Sequence, residues 1–386
     1  MLAGRIWKWL NHSIKSIILL FLVLFCFFML LSSYGRIQNQ TSFCLLKECA
    51  THKSNEATGY VPQKHTRLKT RQHTLRTDKL VHTQAEIQRQ RQQDIEDACK
   101  TYYSYTPKQK VLEKPPYEII VDDHHQIAYC AIPKIASTSW KRVWAVLTGL
   151  ANSTDKFSQQ VINSAVSKTQ MRHLSMYPPK LVAHILANYT KFMFARHPLS
   201  RVLSAFRNKL APDSTFILRD KWQTYLGSYI ISKYRLDDLR YRDVNYTLEH
   251  YDLTFTEFVQ YLTNMTEARA FNHHWMEMYA QCLPCEIQYD FIGKYETLSA
   301  DAKYILKMLN LENIVEFPSL QGSSPTNSST TDTLLSYYSE VPWEYVEKLL
   351  VRYNLDIRLF GYGPYPTPKH DFLQWLKRTA EIHLDL

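Results

Sequence analysis

A long hydrophobic run lies near the N-terminus, where residues 16–35 carry no charge and are mostly aliphatic or aromatic. A helix of about 20 such residues crosses the ~30 Å hydrocarbon layer of a bilayer. Arg5, Lys8 and Lys15 precede the run, and this charge bias keeps the N-terminus in the cytosol. The pattern predicts a cytosolic head (1–15), a retained signal anchor and a lumenal remainder. A cleaved signal peptide is the alternative, although no clear small-x-small cleavage site follows the run.

Residues 36–98 have the opposite pattern, because Gln, Thr, His, Lys and Arg dominate and apolar positions follow no sustained period. Such a composition buries too little apolar surface to offset the entropy of ordering. We interpret this segment as a disordered, basic lumenal stem. A short helix over residues 83–99, indicated by its Glu and Gln content, is the alternative.

Apolar and aromatic residues become frequent after Tyr102, and short β-type runs alternate there with segments of helical period. This alternation predicts an α/β fold with a parallel central sheet flanked by helices, in which ligands bind at the carboxyl ends of the strands. The predicted domain covers residues 99–368, and a C-terminal tail covers 369–386. Strands are predicted at residues 117–121, 127–132, 191–196 and 289–292. Helices are predicted at residues 157–168, 180–188, 199–210, 255–262, 268–279, 301–309 and 333–352.

The charge balance adds a class of partner to this picture. The chain has 46 Lys and Arg against 36 Asp and Glu, a formal net charge of +10. Net charge governs association rather than fold, so the excess predicts an acidic partner such as nucleic acid, anionic lipid or a polyanionic glycan. The predicted lumenal topology favours a glycan, and we expect no nucleic-acid partner.

Translocation would expose the chain to glycosylation and to an oxidising environment. Sequons after the anchor occur at Asn39, Asn152, Asn188, Asn245, Asn264 and Asn327. Cysteines after the anchor are Cys44, Cys49, Cys99, Cys130, Cys282 and Cys285. Their pairing does not follow from the sequence. In Cys282-Leu-Pro-Cys285 we expect a structural disulfide, either local or to another cysteine, because no second ligand pair completes a zinc site. No metal is predicted.

The stretch from Ile127 to Gly149 has the pattern of a strand, a tight loop and a helix. Its apolar strand stops at Pro133, and Lys134 and small hydroxyl residues lead into the helix. The first N–H groups of a helix have no intrahelical partner, so with a lysine beside them they suit an anion of phosphate or sulfate size. No glycine occurs between Asp122 and Gly149, which excludes a nucleoside-triphosphate P-loop. An ordinary buried strand and core helix is the alternative.

A second strand end carries Arg196, and Ser204 follows two turns into the next predicted helix. This spacing predicts that the two side chains bind one more phosphate from two sides, with Arg201 and Arg207 adding positive charge. The alternative is that Arg201, Arg207 and Lys209 form a solvated helix face.

These stretches resemble motifs of the Golgi carbohydrate sulfotransferases. The sequence PKIASTSWKR (133–142) is similar to their 5′-phosphosulfate loop, and RHPLSRVLSAFRNK (196–209) is similar to their 3′-phosphate motif. A third stretch, FNHHWMEMYAQCLPCEIQYDFIGKYETL (271–298), resembles a segment of the chondroitin and dermatan 4-O-sulfotransferase branch. The resemblance implies a P-loop-like sulfotransferase fold and the sulfate donor 3′-phosphoadenosine 5′-phosphosulfate (PAPS). It also implies a single-pass type II protein of the Golgi membrane with a lumenal catalytic domain.

The resemblance further implies which residues bind the donor. Lys134 is expected to contact the 5′-phosphosulfate near its bridging oxygen, and Arg196 and Ser204 to bind the 3′-phosphate. The expected donor-binding residues are Pro133, Lys134, Ile135, Ala136, Ser137, Thr138, Ser139, Arg196, His197, Pro198, Leu199, Ser200, Arg201, Val202, Leu203 and Ser204. Two departures leave the acceptor open: His197 stands where the family usually has an acidic residue, and residues 137–139 resemble the loops of uronyl and heparan 2-O-sulfotransferases.

The acceptor hydroxyl must lose its proton as it attacks sulfur, so a base is required within hydrogen-bond reach. His274, in the His-Trp pair, and His173, in MRHLSMY, are the candidates beside Lys134 as catalytic residues. We expect sulfate transfer to an acidic glycosaminoglycan or related glycan, at position 4 of N-acetylgalactosamine in chondroitin or dermatan. The alternatives are a uronyl 2-O-sulfotransferase and a non-catalytic, membrane-anchored glycan-binding protein.

Overall fold

A five-stranded sheet organises the protein. The computed structural model describes residues 66–103, 108–235, 237, 251–264, 272–318, 326–328, 330–365 and 369–381. The chain divides into two units, Met1–Leu68 and Lys69–Leu386, and the sheet belongs to the second. The predicted head and anchor lie outside the described residues, and within the described ranges no helix is both long enough and apolar enough to span a bilayer.

The sheet is mixed, with the strand order β3-β1-β2-β4-β5. The strands are β1 (Ile119–Asp122), β2 (Ile127–Cys130), β3 (Arg172–His173), β4 (Thr190–Ala195) and β5 (Phe291–Lys294). β2, β4 and β5 are parallel, as predicted, whereas β1 pairs antiparallel with both β2 and β3. The prediction of a purely parallel sheet is therefore wrong. The four residues between β1 and β2 are enough for a hairpin turn, whereas a parallel connection needs a crossover of a dozen or more residues.

Helices flank the sheet. They are α1 (Thr66–Tyr102), α2 (Lys108–Glu113), α3 (Ser137–Leu147), α4 (Pro179–Asn188), α5 (Pro198–Lys209), α6 (Phe255–Thr263), α7 (Met278–Cys282), α8 (Leu298–Met308), α9 (Thr331–Ser339), α10 (Trp343–Arg352), α11 (Asn354–Leu359) and α12 (Phe372–Glu381). Two further helical segments contain a π turn, at Ile162–Val166 between Gln159–Val161 and Ser167–Thr169, and at Gln223–Gly227 between Arg219–Trp222 and Ser228–Tyr234. Short 3₁₀ turns lie at Leu174–Met176 and Lys369–Asp371.

Aromatic side chains fill the space between the sheet and α3. Trp140 of α3 is buried, and its ring centroid lies 4.8 Å from that of Phe192 and 5.4 Å from that of Phe194, both on β4. Tyr129 of β2 stacks on Phe192 with centroids 4.9 Å apart. Buried rings of this size contribute about 1.5–3 kcal/mol each through removal of apolar surface from water. This packing holds α3, and hence its N-terminus, at the carboxyl ends of β2 and β4.

The end of α1 covers the free edge of β5. Gln88 accepts a hydrogen bond from the backbone N–H of Ile292 at 2.8 Å, and Arg91 donates to the carbonyl of Ile292 at 2.8 Å and to Asp301 at 2.9 Å. Ile95 is buried nearby. An edge strand presents unpaired backbone groups, and these side chains satisfy them. The alternative of a helix over residues 83–99 is therefore confirmed within the longer α1, and the expectation of a disordered stem is wrong for those residues. Gln88 and Arg91 connect this helix to the domain together with the buried Ile95.

Two predicted helices differ from the structure. Residues 272–277 of the predicted helix 268–279 form turns, and α7 begins only at Met278, whose backbone N–H donates to Asp356 at 2.8 Å. The predicted helix 333–352 is divided into α9 and α10 around Pro342, since proline lacks the N–H that would continue α9. Residues 268–271 lie outside the described ranges.

Both cysteines of the Cys282-x-x-Cys285 pair form disulfides with distant partners. Cys130 of β2 bonds to Cys282, and Cys99 of α1 bonds to Cys285. The expectation of a structural disulfide is confirmed, with its partners elsewhere in the chain. The Cys130–Cys282 bond ties the end of α7 to the sheet, and the Cys99–Cys285 bond ties α1 to the turn that follows α7. Cys44 and Cys49 lie outside the described residues.

Candidate active site

The loop between β2 and α3 forms a cradle at the carboxyl end of β2, an inner strand of the sheet. Lys134 and Ala136 both adopt left-handed backbone conformations, with φ of 71° and 54°. Such conformations are costly for residues with a Cβ and are found where the surrounding structure imposes them, often at functional sites. Ala136 is the N-cap of α3, and no side chain caps this helix. The first N–H groups of α3, at Ser137, Thr138 and Ser139, therefore face the loop as donors for an anion.

The end of β4 joins this loop through Arg196. Its guanidinium donates to the carbonyl oxygen of Lys134 at 2.8 Å and to the hydroxyl of Ser328 at 3.0 Å. Its planar group also stacks 4.1 Å from the ring centroid of Tyr295. The hydroxyl of Thr326 bonds to Ser328 at 2.8 Å and to Ser204 at 3.1 Å. Arg196 and Ser204, predicted to share a phosphate, thus belong to one hydrogen-bonded chain.

Other members of the predicted 196–204 set have structural positions. Leu199, Val202 and Leu203 are fully buried in the core. The ring of His197 lies against those of Tyr362 and Trp375, with centroids 5.0 and 5.3 Å away. Pro198 begins α5, and Ser200 is buried. A ring packed against the C-terminal helix explains how a histidine occupies this position without facing the cradle.

Arg201 connects the cradle to the 272–277 segment. Its guanidinium is buried and donates to the carbonyl oxygens of Pro133 at 3.1 Å, Met276 at 2.6 Å and His273 at 2.8 Å. One rigid, planar group therefore fixes the distance between the loop and the histidine pair. Lys209 is also buried, with its ammonium 3.5 Å from the ring centroid of Phe216. The interpretation of these two residues as a solvated helix face is wrong, because this side of α5 faces the site.

His274 has a defined tautomer. The side-chain oxygen of Asn272 accepts hydrogen bonds from the backbone N–H of His274 at 3.0 Å and from its Nδ1 at 2.8 Å. An oxygen that accepts from a backbone N–H is an acceptor for the ring as well, so Nδ1 carries the hydrogen and Nε2 holds the lone pair. The edge of Trp222 lies against the ring, with centroids 5.2 Å apart. Within the described ranges, Nε2 has no hydrogen-bond partner.

His173 has both ring nitrogens occupied. Nδ1 lies 2.6 Å from the carbonyl oxygen of Tyr117, and Nε2 lies 2.9 Å from that of Ser167. The ring is buried and stacks on Tyr117, with centroids 4.2 Å apart. It lies on β3, at the opposite edge of the sheet from β5. His173 thus connects the segment before β1 with the helical segment that follows the π turn at Ile162–Val166, which is a structural role.

The cradle is strongly electropositive. Burial lowers the pKa of Lys134 well below its usual value, and the charges of Lys209, Arg196 and Arg201 lower it further. Burial also lowers the pKa of His274 well below its usual range, with Lys209, His273 and Lys134 adding to the effect. The imidazole is consequently neutral at pH 7. Such mutual repulsion between cations is relieved when an anion binds among them.

Several of these residues carry no clear signal in the sequence. Thr326 and Ser328 come from a hydroxyl-rich stretch that has the composition of an ordinary loop, and Asn272 precedes the two histidines. Asn272 lies two residues before His274, so a search for amides beside the histidine pair could have found it. Ser328 is 132 residues from Arg196 in the chain, and only the fold brings them together. In the described part of the chain, no group of three or more His, Cys, Asp or Glu side chains is placed to hold a metal ion.

Comparison with known proteins agrees with this geometry. Residues 117–363 match the model of the sulfotransferase family. Carbohydrate sulfotransferase 14 of Danio rerio is 38% identical over 255 residues, which cover 66% of this chain and 64% of the relative. Carbohydrate sulfotransferase 11 of Rattus norvegicus is 31% identical over 284 residues, covering 72% of this chain and 76% of the relative. Carbohydrate sulfotransferase 8 of Mus musculus is 27% identical over 279 residues, covering 72% and 64%.

No solved structure matches the chain. The family match extends over most of the folded domain and includes the cradle, Arg196, Ser204 and His274. The chain belongs to the sulfotransferase family.

Proposed function

We propose that this protein transfers sulfate from PAPS to a hydroxyl of an acidic glycan, at position 4 of N-acetylgalactosamine in chondroitin or dermatan. The observation that carries the proposal is the bridge made by Arg201. This guanidinium holds the carbonyl of Pro133, in the anion cradle, and that of His273, next to a neutral imidazole. This contact supports an anion site and a base held next to each other, as an in-line transfer requires.

The described residues suit a donor with two separate anionic groups. The open N–H groups of α3 and the ammonium of Lys134 would hold the 5′-phosphosulfate. Arg196 and Ser204 would hold the 3′-phosphate. The two residues are connected by hydrogen bonds through Ser328 and Thr326. When bound, PAPS supplies a sulfuryl group on a good leaving group, and no magnesium carboxylate is required to neutralise it.

His274 acts as the general base. Its Nε2 accepts the proton of the acceptor hydroxyl while the oxygen–sulfur bond forms and the bond from sulfur to the bridging oxygen breaks. Asn272 keeps the opposite nitrogen protonated, so the lone pair stays directed away from Asn272. Lys134 stabilises the negative charge that develops on the leaving phosphate. We assign His173 a structural role, because its two ring nitrogens already contact carbonyl oxygens.

Three observations support a glycan of this class as acceptor. The relatives are named carbohydrate sulfotransferases, and residues 271–298 resemble the 4-O branch. Trp222 is partly exposed beside His274, with the buried ammonium of Lys209 5.3 Å from its ring centroid, an aromatic and cationic setting that suits a sugar ring of an acidic polymer. We further propose a single-pass type II protein of the Golgi membrane with this domain in the lumen, a topology that follows from residues 1–35.

The decisive experiment is incubation of the full-length protein with labelled PAPS and a panel of desulfated glycans, followed by disaccharide analysis. Label at position 4 of N-acetylgalactosamine, lost in the His274→Gln variant, is the expected result. Label at position 2 of a uronic acid would favour the uronyl 2-O-sulfotransferase. Absence of transfer, together with no thermal shift from 3′-phosphoadenosine 5′-phosphate, would favour a glycan-binding protein instead.

A further inference from the structure

One cationic group beside the cradle has no part in donor binding as proposed above. Lys141 lies one helical turn after Ser137 on α3, so both side chains project from the same face of the helix. It is half-buried at the margin of the cradle. PAPS presents anionic groups to the loop and to Arg196, whereas Lys141 stands further along α3. Its charge is offset in part by that of Glu118 and is otherwise available to another ligand.

Neighbouring side chains hold this ammonium in place. Lys141 donates to the side-chain oxygen of Asn163 at 3.3 Å, and the amide nitrogen of Asn163 donates to the hydroxyl of Thr138 at 2.9 Å and to the carbonyl of Gln159 at 2.9 Å. Asn163 lies in a π turn, a distortion that is frequent at functional sites. Lys141 is thus fixed in position relative to the cradle before any ligand binds.

The ammonium retains donors for a ligand. An ammonium has three N–H groups, and Asn163 is the one hydrogen-bond acceptor that Lys141 has among the residues the structure describes. The charge of Glu118 favours the protonated form, and that of Lys168 opposes it. Burial lowers the pKa of Lys141 to about 8, which leaves it charged at pH 7.

The position of Lys141 relates it to the reacting hydroxyl. Asn163 joins Lys141 to Thr138 of the cradle, and Arg201 joins Pro133 of the same cradle to the carbonyl oxygen of His273. Burial and the charge of Arg201 lower the pKa of His273 to about 4, and the charge of Lys141 adds to the effect. The ring of His273 lies 4.3 Å from that of His274, centroid to centroid. A sugar whose hydroxyl faces His274 would place its neighbouring residue in the polymer near Lys141.

We propose that Lys141, oriented by Asn163, forms a subsite for the carboxylate of the uronic acid next to the sugar that is sulfated. In chondroitin and dermatan every N-acetylgalactosamine has uronic acid neighbours, so one fixed carboxylate contact both binds the polymer and sets its register. The proposal rests on the proposed acceptor class. It adds the residue that distinguishes an acidic polymer from a neutral one.

The test compares unsulfated chondroitin, whose negative charge comes only from its carboxylates, with the same polymer after reduction of those carboxylates to alcohols. Lys141→Met removes the charge and keeps the length of the side chain, and Lys180→Met, an exposed lysine on α4, is the matched control. Binding of each polymer to the full-length protein and the KM and kcat for transfer are measured separately. A thermal shift with 3′-phosphoadenosine 5′-phosphate establishes that each variant is folded.

We expect Lys141→Met to weaken chondroitin binding and raise its KM about tenfold, in line with loss of one charged hydrogen bond, and to leave the KM for PAPS unchanged. Carboxyl-reduced chondroitin should bind the unaltered protein and Lys141→Met equally. An equal loss for both polymers, or unchanged binding of chondroitin, would overturn the subsite. Carboxylate-dependent binding without any transfer would instead leave the subsite in place and refute the proposed activity.

Discussion

Two strand-to-helix corners lie at the carboxyl ends of the neighbouring parallel strands β2 and β4, yet they present different groups to a ligand. After β2, a loop with left-handed Lys134 and Ala136 leads into α3, whose first N–H groups face the loop without a side-chain cap. After β4, α5 begins directly at Pro198, which has no N–H. The backbone N–H of His197 already donates to Glu296 at 2.7 Å.

The comparison teaches that similar topology need not produce the same kind of anion site. The first corner offers backbone donors and one lysine, so its specificity depends on loop conformation. The second corner has few backbone donors left, so the proposed 3′-phosphate site there depends on the side chains of Arg196 and Ser204. Substitutions should therefore have different signatures at the two corners.

The largest effect is expected at the first corner. Lys134→Ala removes the charge that is proposed to stabilise the leaving phosphate and should lower kcat/KM about 10²–10³-fold, as for loss of one preorganised transition-state donor. Sulfate transfer from labelled PAPS measures this, with Lys180→Ala, an exposed lysine on α4, as the matched control. Activity within threefold of the unaltered protein, in a folded variant, would refute the assignment of Lys134.

At the second corner, geometry should matter more than charge. Arg196→Lys keeps the positive charge but loses the planar group that joins the carbonyl of Lys134 to Ser328. We expect the KM for PAPS to rise about 10–100-fold, the range for losing hydrogen bonds to a charged group. Steady-state kinetics at saturating acceptor provides the measurement. A variant that binds PAPS normally would mean that this corner acts through charge alone.

A smaller effect is expected for Ser204→Ala. The hydroxyl of Ser204 ends the chain through Thr326 and Ser328 to Arg196. Its loss should raise the KM for PAPS about tenfold and leave kcat unchanged, because the 3′-phosphate does not react. Ser336→Ala, an exposed hydroxyl on α9, is the control. A fall in kcat without a change in KM would place Ser204 outside the 3′-phosphate site.

The smallest effect is a shift in pH dependence, and it tests His274 as the proposed general base. The lowered pKa of His274 keeps its neutral form down to pH values below 6.5, so the acid limb of kcat/KM for PAPS should lie below that pH. Asn272→Asp places a negative charge against Nδ1, which favours imidazolium and should move the limb upward by about one unit. An unchanged limb would indicate that a different group accepts the proton.

Local pattern was sufficient for much of this architecture. The strands β2 and β4, the helix α5 and the loop at Pro133 were predictable because strand and helix periods, prolines and unpaired helix N–H groups are properties of neighbouring residues. Lys134, Arg196, Ser204 and His274 follow from motifs in the same way.

The rest depended on contacts between residues far apart in the chain. The bonds Cys99–Cys285 and Cys130–Cys282 join positions 186 and 152 residues apart, and nothing local to either cysteine selects its partner. The same holds for the helical stem: residues 66–98 have a solvated composition, and the ordering of their last turns reflects Gln88 and Arg91 meeting the backbone edge of β5.

The sequence by itself determined which residues are chemically able to hold two anions and to accept a proton. Only the tertiary structure decided how they are combined. Arg201, which the sequence left between a solvated face and a source of positive charge, became the clamp that fixes His273 to the cradle. Asn272 selects the tautomer of His274, whereas both ring nitrogens of His173 contact backbone carbonyl oxygens. Side-chain chemistry is local, whereas the partner that each group meets is set by the topology of the chain.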